Sequence, residues 1–191
     1  EIEHKCYIWP SGVDVDFWNI PKEEHSSKQV LIFDKRWPED DSKRVNPYVQ
    51  YLQSIGYQVV VLTKCGDVGY TREQYRNLLH ESEFMVGFTA RQESQGIAWA
   101  EAWATNTPTF ILKITHNISP SGRRFESSSA PYLTEKTGCF FNDLADFKSK
   151  VESFIDGEFD FHPRRWVVEN MSDEVCAEKL SRFIFSVATS A

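Results

Sequence analysis

The sequence predicts an α/β domain, a parallel sheet flanked by helices, on three observations. Short β-rich runs alternate with helical patterns along most of the chain. An alanine- and tryptophan-rich helical stretch directly follows one of those runs through a short polar crossing. The chain has 191 residues, 41% apolar and 14% aromatic, which suits one sizeable core.

The elements read as follows. Val30–Phe33 is a continuous apolar run, as expected of a strand buried on both faces. A helical pattern over Asn46–Ile55 leads to a second β-branched run, Val59–Leu62, and a helix over Thr71–His80 leads to a third, Phe84–Phe88. A helix over Gln95–Thr105, a strand over Thr109–Ile114 and a strand over Cys139–Phe141 follow. Helices over Leu144–Ile155 and Ser172–Val187 complete the chain. Such alternation implies right-handed crossovers between parallel strands, a Rossmann-like arrangement. Between His116 and Ala130, Ser119-Pro120-Ser121-Gly122-Arg123-Arg124 and Ser127-Ser128-Ser129 predict an irregular, mobile loop at the edge of the sheet.

Two glutamates stand out because of where they lie. From Gln95 to Thr105 the side chains are nearly all Ala, Ile or Trp, so this helix packs inside the fold and takes Glu101 with it. A buried carboxylate costs several kcal/mol unless it is hydrogen-bonded or paired, so Glu101 is expected to have a partner, either an internal Arg or Lys or a ligand hydroxyl. Glu93 sits in the preceding crossing, Thr89 to Glu93, where a carboxylate also suits a helix N-terminus. Eight helical positions rise roughly 12 Å, so the two can touch two ends of one extended ligand but not the same atom. In an open α/β sheet a strand–loop–helix turn of this kind lies at the carboxyl edge of the strands, where helix N–H groups attract phosphate. Gly96 would let a ligand approach the backbone of Ser94, Gln95 and Ile97.

These residues carry a resemblance. Glu93-x7-Glu101, followed by Ala102-Trp103-Ala104-Thr105-Asn106-Thr107-Pro108, resembles the E-x7-E signature of retaining GT-B glycosyltransferases of the family-4 type. Ile8-Trp9-Pro10-Ser11-Gly12-Val13-Asp14-Val15-Asp16-Phe17-Trp18 resembles the hinge segment that opens their donor-binding domain, and His162-Pro163-Arg164-Arg165-Trp166-Val167-Val168-Glu169-Asn170 resembles the segment before their last helix. The three landmarks stand in the family's order and span almost the whole chain. The resemblance implies that residues 1–191 form a single nucleotide-sugar (donor) binding domain, one half of a GT-B fold. Residues 1–27 would be the hinge segment and 163–191 the C-terminal helices. An acceptor-binding domain precedes the hinge in that family, and the first residue here is Glu, not Met, so a piece of a larger protein is expected.

What the resemblance implies chemically is transfer of a hexose from a UDP-sugar or GDP-sugar, with retention, to a glycan, lipid-linked or other acceptor bound by the preceding domain. By residue-wise carry-over Glu93 meets the donor sugar and Glu101 the ribose, and no metal or other cofactor is expected. The chain departs from the family at its basic element: after the first strand it has Asp34-Lys35-Arg36-Trp37-Pro38 in place of the usual glycine- and arginine-containing run. Lys35 and Arg36 are the candidates for the diphosphate, against a reading as a solvated pair beside the acidic run Glu39-Asp40-Asp41. The chain also reads as one βα unit shorter than longer relatives, which puts Lys64 to Tyr70 where base and ribose would sit. Gly66 and Tyr70 are therefore donor-site candidates, with simple packing the plainer reading of Tyr70. Arg91 is either a diphosphate contact or a surface residue, and Arg123 and Arg124 read as solvated.

Composition narrows the partners. With 28 acidic against 21 basic residues and a net charge of −7, the surface does not favour nucleic acid or anionic membrane, so local basic clusters have to bind any phosphate. Cys6, Cys65, Cys139 and Cys176 are scattered without a C-x-x-C pair, and His80 and His116 lack metal-ligand spacing. No signal peptide or membrane-length apolar run is present, and a cytoplasmic location is expected. Two other classes stay open: a non-catalytic nucleotide-sugar-binding or regulatory module with a GT-B half-fold, and a flavodoxin-like module with an unrelated ligand.

Overall fold

The computed structural model describes residues 7–19, 28–36, 41–65, 69–89, 95–119 and 121–188. Five parallel strands form one sheet: β1 (Gln29–Arg36), β2 (Gln58–Cys65), β3 (Phe84–Thr89), β4 (Thr109–Leu112) and β7 (Gly138–Phe141), in the spatial order β2-β1-β3-β4-β7. Helices α1 (Asn46–Ser54), α2 (Arg72–His80) and α3 (Ile97–Ala104) connect the first four strands, and α4 (Leu144–Ile155), α5 (Pro163–Asn170) and α6 (Asp173–Ala188) follow the last. The α/β class and the parallel sheet are as the sequence predicts. The expected irregular loop is a correction: β5 (His116–Ile118) and β6 (Arg124–Glu126) pair antiparallel inside it as a short hairpin.

Strand alternation divides the core in two. On β1, Leu31 and Phe33 face a cluster with Tyr75 and Leu79 of α2, Trp99 and Trp103 of α3 and Val167 of α5. Val30 and Ile32 face the opposite cluster, with Leu52 of α1 and Phe147 and Val151 of α4. The α3 layer is set close to the sheet. A Cβ at Gly87 of β3 would lie 2.9 Å from the ring of Trp99, so glycine there leaves the room the indole occupies. Both indoles of α3 are also satisfied: Trp99 donates to the Ser129 carbonyl at 2.9 Å and Trp103 to the Thr109 hydroxyl at 2.9 Å.

The segment ahead of β1 is fastened to the far end of the chain. Val13 bridges Ser172 in parallel, its amide donating to the Met171 carbonyl at 2.9 Å, and the Trp9 indole donates to the Cys176 carbonyl at 2.7 Å. Arg164 of α5 donates to the carbonyls of Trp18 at 2.9 Å, Val15 at 3.2 Å and Ala104. Residues 7–19, the end of α3 and the start of α5 thus form one hydrogen-bonded unit. That unit contributes Ser11 and Trp18 to the lining of a cleft at one edge of the sheet.

Candidate functional site

The carboxyl ends of β1 and β2 carry a pair of lysines because of the strand register. Lys35 is the direct neighbour of Lys64 in the parallel ladder, so their side chains leave the same face. Both line a cleft of about 660 Å³ at this edge of the sheet. Gly69 keeps the space beside Lys64 open: a Cβ there would lie 3.1 Å from the ammonium nitrogen.

The same alternation sends Asp34 and Arg36 to the other face. Asp34, 2% exposed, accepts from Arg44 Nε at 2.9 Å and Nη2 at 2.7 Å, and Arg36 Nε lies 3.3 Å from its second oxygen. The two basic residues singled out together in the sequence are therefore separated. Lys35 lines the cleft, whereas Arg36 is paired with Asp34 and is not part of the lining.

The start of α3 also lines the cleft. Gly96 caps the helix at φ 69°, ψ 50°, a left-handed conformation that glycine adopts without strain. A side chain there would also collide with the indole of Trp99. Gln95, Gly96, Ile97 and Ala98 line the cleft where the first amides of the helix lack intrahelical acceptors. Gln95 accepts a hydrogen bond from the Ser11 amide at 3.0 Å, which brings the segment ahead of β1 into the wall.

Glu101 follows one turn along α3. Its half-buried carboxyl is pushed up to about 7 by burial, with the Arg72 guanidinium opposing the shift. The expected partner is only partly present. Among the described residues its side chain makes no hydrogen bond or ion pair, and Arg72 acts on it through its charge alone. An unsatisfied carboxyl lining a cleft suits a ligand hydroxyl.

Tyr70 is at once packing and lining. Its ring lies 5.6 Å from that of Phe33 and 5.1 Å from that of buried Tyr75, and it also faces the cleft. Four expected site residues, Gly66, Arg91, Glu93 and Ser94, lie outside the described residues. Arg123 and Arg124 are exposed on the hairpin, away from the lining. Among the described residues no group of three or more His, Cys, Asp or Glu side chains is placed to hold a metal ion, and no helix is long and apolar enough to cross a membrane.

Sequence reasoning missed Arg72 and the aromatic wall. Arg72, the first residue of α2, lines the cleft with its guanidinium 4.2 Å from the centroid of the Phe17 ring and 5.6 Å from that of Trp18. Trp18, Phe33 and Trp99 complete the apolar surface. The signal for Arg72 was present in principle, an arginine one position after the helix cap Thr71. Its stacking partners, however, are remote in sequence. Among the described residues the cleft lining thus gathers Lys35, Lys64 and Arg72 with one carboxyl, that of Glu101, in a chain whose net charge is −7.

No protein-family model matches the chain, and no curated protein matches it in sequence. Solved structures do match it in fold. The crystal structure of TarM superposes with a TM-score of 0.57 at 17% identity, covering 86% of this chain, which spans only 36% of the length of TarM. The C-terminal domain of a glycosyl transferase group 1 family protein, LpcC, from Francisella tularensis superposes with a TM-score of 0.51 at 11% identity, covering 88% of this chain and 98% of that domain. The parallel five-stranded sheet flanked by helices is thus a fold shared with these two structures.

Proposed function

We propose that this chain is the donor-binding part of a glycosyltransferase that takes a hexose from a nucleotide diphosphate sugar, UDP- or GDP-linked, and passes it with retention to an acceptor held by another domain. The observation that carries this reading is the paired lysines, Lys35 and Lys64, lining one cleft with the N-terminal turn of α3 and Glu101. A diphosphate leaving group gains negative charge as the glycosidic bond breaks. Ammonium groups and helix N–H donors placed around it lower that barrier. Glu101 is suited to a ribose diol, and Glu93, by the resemblance, to the hydroxyls of the donor sugar. Neither glutamate is assigned as a nucleophile, and the reading requires no metal.

The test is calorimetric titration with UDP, GDP and their common sugar conjugates, beside Glu101→Ala and Lys64→Ala. Saturable binding of one nucleotide is expected, weakened roughly ten- to a hundred-fold in each variant by loss of a charge-assisted hydrogen bond. Absence of binding to every nucleotide would overturn the reading. A second reading, a non-catalytic nucleotide-sugar-binding module, draws support from Arg36, whose engagement with Asp34 leaves Lys35 as the cleft-lining member of the expected basic pair. Turnover by the full-length protein that is lost in Glu93→Gln supports the enzyme; binding without turnover supports the module.

A further inference from the structure

We propose that Arg72 reads the base of the bound nucleotide and selects bases that present a carbonyl oxygen where cytosine and adenine present an amine, namely uracil, thymine or guanine. The inference rests on the donor-site reading above and adds a specificity-determining residue to it.

Lys35 and Lys64, neighbours in the strand register, and the first turn of α3 supply the cations and free amides suited to phosphate. Glu101 lies one helical turn further on, roughly 5 Å along the axis, a step suited to passing from phosphate to ribose. Arg72 lies within electrostatic reach of Glu101, on the wall built from α2 and the hinge segment. A nucleotide with its phosphates at the lysines and its ribose at Glu101 therefore directs its base toward Arg72.

The hydrogen-bonding character of Arg72 follows from its packing. The guanidinium carbon of Arg72 lies over the Phe17 ring, 4.2 Å from its centroid, and 5.6 Å from the centroid of Trp18. A cation over an aromatic face is held by the charge distribution of the ring and spends none of its N–H donors on a hydrogen-bond acceptor. Among the described residues none of those donors has an acceptor, although the side chain is accessible and lines the cleft. A guanidinium keeps its protons and has no acceptor atom, so a ligand edge that meets it has to supply oxygen or nitrogen lone pairs. Uracil O4, thymine O4 and guanine O6 with N7 do so. The exocyclic amines of cytosine and adenine would confront it with donors on both sides.

Uridine and cytidine diphosphate share their ribose and phosphates and differ at this edge of the base, so they isolate the effect; GDP and ADP form the second pair. Titration of the chain should show UDP binding roughly ten- to a hundred-fold more tightly than CDP, or GDP than ADP, the discrimination typical of a well-formed arginine–base contact. Arg72→Gln and Arg72→Lys should bring that ratio to within about threefold of one, by losing the fork rather than by weakening every nucleotide equally. Inorganic pyrophosphate, which lacks a base, should bind wild type and both variants alike. Equal ratios in wild type and variants, or a preference for the amine-bearing bases, would overturn the assignment while leaving the donor site standing. A fall in pyrophosphate affinity matching that of UDP would make Arg72 a phosphate ligand instead. Failure of every nucleoside diphosphate to bind would overturn the donor-site reading itself.

Discussion

The amide of Ser11 donates to the side-chain oxygen of Gln95 at 3.0 Å, joining the segment ahead of the first strand to the turn that opens α3. The two residues are 84 positions apart in sequence. Together with the three carbonyls held by Arg164, it makes the wall of the cleft partly out of residues that precede the sheet. A ligand seated against Gln95 and Gly96 therefore also meets the segment ahead of β1.

Gln95→Ala tests that link. The amide of Ser11 is main chain, so Ser11→Ala should be silent, whereas Gln95→Ala removes the acceptor and should cost about 1 kcal/mol, or about 2–4 °C in Tm for a chain of this size. Hydrogen exchange read at Ser11 distinguishes the link from a general loosening. Protection should fall at residues near Ser11 in Gln95→Ala and stay unchanged in β1 and β3.

Arg164→Ala should be more damaging. One guanidinium serves the carbonyls of Val15, Trp18 and Ala104, and its removal leaves part-buried acceptors without a donor. A loss of about 2–4 kcal/mol is expected. Arg164→Lys should recover little of it, because an ammonium cannot reproduce the planar fork that reaches three acceptors. Denaturant titration of the three proteins checks both statements, and near-equal stability of Arg164→Lys and wild type would refute the second.

Gly96→Ala combines two penalties at the mouth of the cleft. A φ of 69° disfavours any residue with a Cβ, and that Cβ would be driven into the Trp99 indole. A loss of about 2–4 kcal/mol is expected from left-handed strain plus overpacking. Fluorescence of the buried indole should change with it, since Trp99 cannot keep its place beside Gly87 and also make room for the methyl group.

How much of this was legible depended on whether the signal was local. Val30–Phe33 and Phe84–Phe88 could be read directly, because strands buried on both faces are apolar at every position. The hairpin could not: His116–Ile118 and Arg124–Glu126 are three residues each, too short to show an alternating period, with a Ser-Pro-Ser-Gly stretch between them that reads as loop. In the site, Gly96 and Gln95 were legible from the strand–turn–helix order. The parting of Lys35 from Arg36 also follows from strand alternation, but only once β1 is known to run on to Arg36, beyond its apolar core. Lys64 entered the reading only within a loop segment, since its pairing with Lys35 depends on register. Arg72 was invisible because its place rests on Phe17 and Trp18, whose hydrophobicity alone says only that they are buried somewhere.

The unsatisfied carboxyl of Glu101 gives the chain a stability that falls as pH rises through the slightly acid range. Its pKa in the folded chain is pushed up to about 7 by burial, above the ordinary carboxyl value of 4.5, so between these two values the folded state binds the proton that the unfolded state has released. Below 4.5 the group is protonated in both states and costs nothing. As pH rises from there to about 7 the folded state must either keep the proton against the solution or ionise in a poorly solvated place, and stability falls throughout that window. Above it the loss is complete, on the order of 2–3 kcal/mol. Glu101→Gln removes the titration and keeps the shape, so the variant should match wild type near pH 4.5 and exceed its stability at pH 8 by about that amount. Paired denaturant titrations at the two pH values read the difference directly. A variant no more stable than wild type at pH 8 would mean that the carboxylate is solvated or paired in solution, and Glu101 would then lose its standing as the open acceptor of the cleft.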